Sequence, residues 1–339
     1  MQLDFETIRQ ITCGAAQIWP EDGGLRFSRF TAQQEQMYAL RDPMPVEPGC
    51  LASTGVRLAF STNSPWVYLK ADVRRGSSRS FFAFDLCVNG KLVDSLENFG
   101  NYTYLPGKPY KAEFPLGVYE KQFALGEGEK TVEVYFPWNA CPILQELSLA
   151  DGATLKPVKR PGKLLVYGDS ITQGYDCLHP TAHHIPRLAA HLHADVWNKA
   201  VGGEIFFPEL ADSPEDFEPE DILVAYGTND LSSTDGDDFD RRCGDFYRNL
   251  SKRYPNARIF AITPIWREDY NKAHKFGTFD ELVLRLRKAI AQIPNLTVID
   301  GFDLVPHDPV YFSDLKVHPN DAGYLHYGNN LCRQIDASR

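Results

Sequence analysis

Between residues 1 and 150 the apolar positions fall in short runs separated by turn residues, without sustained helical spacing. "PWVYLKADV" and "TVEVYFPW" alternate in part between apolar and polar side chains, the period of a strand with one buried face. "SFFAFDLCVNGKLVDSL" sets Asn89-Gly90 between two apolar runs, and this pair favours the type I′ turn that joins antiparallel strands. Residues 1–150 therefore predict an all-β sandwich of jelly-roll type. The next segment, "DGATLKPVKRPG" (151–162), is polar and rich in proline and glycine, and reads as a linker.

From residue 163 to 339 the pattern changes. Apolar runs "LLVY", "DVWN", "ILVAYG", "RIFAITPI" and "TVID" alternate with helix-like stretches such as "HIPRLAAHL" and "DELVLRLRKAIAQI". That alternation predicts βαβ units, hence an α/β domain with a parallel sheet covered by helices. In such sheets the working residues gather at the carboxyl ends of the strands, where this chain has polar or glycine-rich clusters.

Composition narrows the choice of partners. A chain of 339 residues is long for a single core, in keeping with two domains. The formal net charge of -10 argues against nucleic acid or an anionic membrane as a partner, since both reward basic surfaces. No apolar run reaches the length of a membrane span, and "MQLDFETIRQ" has neither a basic nor an apolar leader region, so a cytoplasmic location is expected for the chain as given. The seven cysteines are scattered and form no CxxC pair, which predicts buried, reduced thiols rather than a zinc site or a disulfide framework.

Four clusters carry candidate chemistry. Gly168-Asp169-Ser170 follows the first apolar strand; a serine hydroxyl is a weak nucleophile that needs a neighbouring base. Asn198 to Glu204 follows the second and contains Gly202-Gly203, where a bare backbone N–H can approach a reacting oxygen. Gly227-Thr228-Asn229-Asp230 follows the third and offers a side-chain amide as an oxyanion donor. "YFSDLKVHPNDAGY" supplies His318 as a base and Asp314 as the group that orients it, with Asn320-Asp321 placed to cap a last helix. Each cluster alone has an ordinary structural explanation as a cap, a turn or a surface loop. Their order, each after a strand or in a loop, favours chemistry.

Together the four clusters resemble the motif blocks of the SGNH (GDSL) hydrolase superfamily over roughly residues 163–335. The resemblance implies a flavodoxin-like three-layer domain with Ser170 as nucleophile and oxyanion donor, Gly203 and Asn229 as further donors, and His318 as the base. The family usually sets its aspartate three residues before the histidine, where this chain has Leu315. The acid is one residue earlier, at Asp314. Two arrangements stay open: a triad with a displaced carboxylate, or a dyad with His318 oriented by a backbone carbonyl.

These roles define acyl transfer, most simply ester hydrolysis through a Ser170 acyl-enzyme, without metal or cofactor. A β-sandwich ahead of such a domain resembles a subset of bacterial carbohydrate esterases, which implies a small or oligosaccharide substrate carrying a short acyl group, acetyl foremost. Trp266 and Arg267 in "TPIWRED", Glu204, and Trp138 in "FPWN" are the candidate substrate contacts, with packing as the alternative for both tryptophans. An acyltransferase, or a lipase- or thioesterase-type hydrolase, uses the same serine. A carbohydrate-binding protein with a vestigial catalytic half is disfavoured because Ser170, Gly203, Asn229 and His318 are all present. His179, His183, His184, His191 and His193 lack H-E-x-x-H spacing and adjacent acids, and read as packing or surface groups.

Overall fold

A computed structural model of the protein describes residues 1–41, 50–100, 102–105 and 108–338. They form two compact units that interleave along the chain. The first takes residues 1–31, 50–160 and 178–181, and the second takes 32–41, 161–177 and 182–338.

The first unit is built on two antiparallel sheets. One runs in the order Gly117–Ala124, Trp66–Arg75, Ala140–Leu149, Gly24–Ser28, Gln17–Glu21. The other runs Thr12–Cys13, Arg57–Thr62, Lys130–Tyr135, Ala83–Val88, Lys91–Glu97. Strand Trp66–Arg75 alternates as its sequence predicts: Val67, Leu69, Ala71 and Val73 are buried, while Tyr68, Lys70 and Asp72 remain partly exposed. These four join Phe27, Leu58, Phe60, Phe84, Val132 and Leu144 in one core, each large side chain stabilising the unit by roughly 1.5–3 kcal/mol through burial. Asn89 and Gly90 both adopt positive φ (50° and 76°), which is the type I′ hairpin turn expected from the pair. Of the segment read as a linker, Lys156–Pro157 pair with Arg57–Thr62 in this unit. A short helix, Phe5–Ile11, is also present, capped by the Asp4 side chain on the Thr7 N–H.

The second unit has a five-stranded sheet. Its strands, in chain order, are Gly162–Gly168, Ala194–Asn198, Asp221–Ala225, Arg258–Ile262 and Leu296–Ile299, and every neighbouring pair is parallel. Their spatial order is 2-1-3-4-5, the flavodoxin-like arrangement. In "LLVY" four consecutive side chains, Leu164 to Tyr167, are fully buried, because a central parallel strand is covered on both faces. The connection from strand 1 to strand 2 runs in the opposite sense to those that follow. Right-handed crossovers therefore put helix His184–His191 on one face and helices Gly236–Arg253 and Phe279–Ile290 on the other. The final helix, Asp321–Ala337, packs with His184–His191. Strand order also reverses between strands 1 and 3, which opens a crevice at their carboxyl ends.

A helix that the sequence pattern left unread, Ala32–Arg41, belongs to this second unit although it lies in the first 150 residues. Gln34 on it joins a buried polar cluster: Lys199 Nζ lies 2.8 Å from Glu215 Oε2 and donates to Gln34 Oε1 at 3.0 Å, while Gln34 Nε2 donates to Glu215 Oε1 at 2.7 Å. Both ionic side chains are almost wholly removed from water, so removing one leaves the other charge buried and uncompensated. Lys199→Met is expected to lower the unfolding free energy by about 3–5 kcal/mol in urea melts, with much of it restored by adding Glu215→Leu. A single-variant loss below roughly 1 kcal/mol contradicts that reading.

Candidate active site

The first strand ends at Gly168, and Asp169 caps the one-turn helix Ser170–Gln173 by accepting from the Ile171 N–H at 3.0 Å. Gly168 has no room for a side chain, because a Cβ there would lie 2.4 Å from the Thr172 hydroxyl. Gly174, at φ 113°, ends the helix. Ser170 is thereby held at the first helical position, where its own N–H has no intrahelical acceptor.

The loop after strand 2 is laced onto this turn. Lys199 N–H donates to Val166 O, Val201 N–H to Gly168 O, and Asn198 Nδ2 to Thr172 O. Gln173 Oε1 then accepts from the Gly202 N–H at 2.7 Å. Gly203 follows at φ 81°, a left-handed conformation that favours glycine, and its N–H donates to no residue among those described. Asn229, after strand 3, donates from Nδ2 to the Glu204 carbonyl at 3.0 Å and so ties the third loop to the second. The Ser170 N–H, the Gly203 N–H and the second Asn229 amide hydrogen have no acceptor among the described residues.

His318 comes from the loop before the last helix. That loop is closed by a bridge between Phe312 and Pro319 and by the Ser313 N–H on the His318 carbonyl at 2.8 Å. Asn320 caps the helix through the Gly323 N–H, as its position in the sequence predicts. His318 Nε2 lies 2.9 Å from Ser170 Oγ, and its Nδ1 lies 2.8 Å from Asp314 Oδ2. The acid four residues before the histidine therefore faces the imidazole, where the dyad alternative would put a backbone carbonyl.

The backbone shows how the spacing is met. Leu315, which occupies the family's usual acid position, adopts φ 57°, a left-handed turn uncommon for a leucine. Asp314 Oδ1 accepts from the N–H groups of Lys316, Val317 and His318. Desolvation raises the Asp314 pKa, yet the bond from His318 and these backbone donors hold the carboxyl well below its usual range.

Residues 166–325 match the GDSL-like Lipase/Acylhydrolase family. The second unit is a GDSL-type (SGNH) hydrolase domain. The match places this domain among the GDSL-like lipases and acylhydrolases. No curated protein matches its sequence. Among solved structures, it is similar to the salicylyl-acyltransferase of a tetracycline biosynthetic pathway, at 20% identity and a TM-score of 0.78, over 96% of this chain and 94% of that one. It is also similar to a Bacteroides ovatus protein described as a GDSL-like lipase, at 20% identity and TM-score 0.73, over 99% and 97% of the two chains. A family two carbohydrate esterase from Clostridium thermocellum, solved with cellohexaose, matches at 14% identity and TM-score 0.66, over 96% and 98%. At these identities the structures establish a shared fold, including the β-rich unit ahead of the GDSL-type domain.

The residues expected to meet substrate are largely committed to the fold. Trp266 is 6% exposed and packs against His307, Phe312 and Tyr270, so its ring faces are occupied. Arg267 is buried; it pairs with Asp269 and donates to the Thr228 carbonyl beside Asn229. Asp269 in turn binds Lys316 Nζ at 2.8 Å, which connects the GTND loop to the histidine loop. Glu204 is buried, with Oε1 accepting from the Ile205 N–H. Trp138 is buried in the first unit against Phe81. Their burial corrects the expectation of an indole platform for a sugar.

The histidines differ from expectation as well, because two find acids far away in sequence. His179 Nδ1 lies 2.8 Å from Asp85 in the first unit, and His191 pairs with Asp336. His183 and His184 are buried against Tyr324. Among the described residues no group of three His, Cys, Asp or Glu side chains is placed to hold a metal ion, and no helix is long and apolar enough to cross a membrane. Six of the seven cysteines are buried, Cys50 being half-exposed.

Two buried carboxyls behind the site have raised pKa values. Burial lifts Asp169 to about 6, and burial together with the Asp169 charge lifts Asp230 to about 7. Neither Asp230 carboxyl oxygen has a hydrogen-bond partner among the described residues. Both values exceed the ordinary 3.8, so the protonated forms favour the fold. That contribution is complete below about pH 4 and is lost as pH rises through 6 to 7. Asp230→Asn, which cannot ionise, is expected to gain several degrees in Tm over the unsubstituted protein between about pH 4 and about pH 8. A Tm difference that does not change with pH contradicts the assignment.

Proposed function

We propose that the protein is a serine esterase that removes short acyl groups, acetyl foremost, from carbohydrates. The observation that carries the chemistry is the continuous chain Ser170 Oγ to His318 Nε2 and His318 Nδ1 to Asp314 Oδ2, at 2.9 and 2.8 Å. His318 takes the Ser170 proton as Oγ attacks the ester carbonyl. The oxygen that becomes negative is received by the N–H groups of Ser170 and Gly203 and by Asn229 Nδ2. Protonated His318 then gives its proton to the leaving alcohol, and water activated by the same nitrogen releases the acid from Ser170. Asp314 fixes the tautomer and stabilises the imidazolium; its three backbone donors keep it ionised and still.

The carbohydrate assignment is supported by the likeness in fold to carbohydrate esterases, one of them solved with cellohexaose. Loop residues around the crevice, not Trp266 or Trp138, then make the sugar contacts. A second reading is acyl transfer to an acceptor other than water, favoured by the likeness to a salicylyl-acyltransferase. Both begin with the same acyl-enzyme and part at its acceptor.

Ser170→Ala and His318→Ala are each expected to lower turnover of a short-chain aryl ester by about 10³-fold or more, and Asn229→Ala to lower kcat by about 10²–10³-fold. Turnover in Ser170→Ala equal to the unsubstituted enzyme contradicts the mechanism. Free acetate released from acetylated xylo- or manno-oligosaccharides supports the esterase; an acylated acceptor with little free acid supports the transferase.

A further inference from the structure

His318 Nδ1 faces a second carboxylate. Asp176 Oδ2 lies 3.9 Å from the same nitrogen that Asp314 Oδ2 meets at 2.8 Å. The two acids reach the imidazole from different loops. Asp314 belongs to the histidine's own loop, whereas Asp176 belongs to the serine's, two residues past Gly174. Its side chain is only 11% exposed, so its charge is weakly screened by solvent.

The backbone commits Asp176 to this place. Its φ is 66°, in the left-handed region that a non-glycine residue rarely occupies outside a structured turn. The Asp176 carbonyl accepts from the Ser313 hydroxyl at 3.3 Å, beside Asp314, and the Tyr175 carbonyl accepts from the buried Tyr324 hydroxyl at 2.9 Å. The Asp176 turn is thus pinned to the histidine loop and to the last helix. At 3.9 Å the interaction is electrostatic, not a hydrogen bond.

We infer that Asp176 is a positioning residue: a second carboxylate that, with Asp314, shares the charge of the imidazolium formed when Ser170 gives up its proton. This rests on the reading of Ser170 and His318 as nucleophile and base. The groups that face the imidazole are few. Ser170 meets Nε2, and the Tyr175 ring lies with its centroid 5.6 Å from that of the imidazole. Asp169 lies buried behind the serine and interacts with His318 electrostatically. Lys316, on the same loop, turns its Nζ to Asp269. The imidazolium formed when Ser170 loses its proton is therefore held among carboxylates, two of them directed at Nδ1. When Asp314 is neutralised, Asp176 remains as the acid within reach.

The test uses the full chain, an aryl acetate, and pH–rate profiles of Asp176→Asn, Asp176→Gly, Asp314→Asn and the double variant Asp176→Asn/Asp314→Asn. Glycine removes the carboxylate while accepting the left-handed backbone without strain, so an effect common to both Asp176 variants is electrostatic and not a folding defect. Both are expected to lower kcat about tenfold with little change in KM, and to move the acidic limb of the profile down by about one pH unit, because the base loses a neighbouring negative charge. Asp314→Asn is expected to keep measurable turnover, and the double variant to fall well below the product of the two single effects. An unmoved acidic limb in both Asp176 variants overturns the inference, as does a double variant equal to that product. Ser170→Ala measured alongside separates the two readings. If it keeps turnover, the esterase mechanism itself fails; if it is inactive while the Asp176 limb is unmoved, only the role of Asp176 fails.

Discussion

The site depends on one backbone residue turned against its preference. Leu315 adopts φ 57°, at a cost of roughly 1–2 kcal/mol for an L-residue, and its side chain is 62% exposed, so burial does not repay that cost locally. What the turn achieves is local and electrostatic. It swings the Asp314 carboxylate under the N–H groups of Lys316, Val317 and His318 with one oxygen, and under His318 Nδ1 with the other. The four charge-assisted hydrogen bonds so formed offset the strain. With Leu315 in an extended conformation the acid would leave the imidazole, and the 2.9 Å contact to Ser170 would lose its orientation.

The remaining geometry follows from the sheet. Strand order 2-1-3-4-5 brings the loops after strands 1, 2 and 3 to one crevice, and hydrogen bonds between those loops fix their spacing. Backbone bonds from Lys199 and Val201 extend the pairing of the first two strands past their ends, the Gln173 amide positions Gly202, and Asn229 holds the Glu204 carbonyl. The loops that carry Gly203 and Asn229, the proposed oxyanion donors, are thus held by contacts to their neighbours. Arg267 and Asp269 repeat the pattern at strand 4 and carry it to Lys316, two residues before His318. Desolvation opposes ionisation of Asp269, but Arg267 and Lys316 bring its pKa down to about 2, so this connection stays charged across the working pH range.

Much of this was legible in the residues alone. The switch from period-2 runs to alternating strands and helices marks where the parallel sheet begins, because a buried parallel strand must read as a continuous apolar run. Ser170, Asn229 and His318 stood out as candidates from the polar or glycine clusters that recur after strands or in loops, and Gly203 was singled out from Gly202 by the resemblance to the SGNH motif blocks. Burial was not legible. Trp266 and Arg267 sit at the end of strand 4 as expected, yet an aromatic cluster and an ion pair absorb them, and no local pattern separates an exposed indole from a packed one. The displaced acid could be named but not placed, since nothing in "FSDLKVH" announces a left-handed leucine. Asp176 was missed for the same reason: its relation to His318 depends on a backbone turn and on a loop more than a hundred residues away. The acids paired with His179 and His191 were likewise too distant in sequence to suggest themselves.

The proposed mechanism makes the buried hydroxyl of Ser170 a nucleophile because His318 and Asp314 are aligned behind it. Active-site labelling with a fluorophosphonate, read by intact-protein mass spectrometry and peptide mapping, tests that claim without knowledge of the natural ester. A single adduct on Ser170 is expected, formed rapidly in the unsubstituted protein and not in His318→Ala. Absence of an adduct, an adduct on another residue, or equal labelling rates with and without His318 would contradict it.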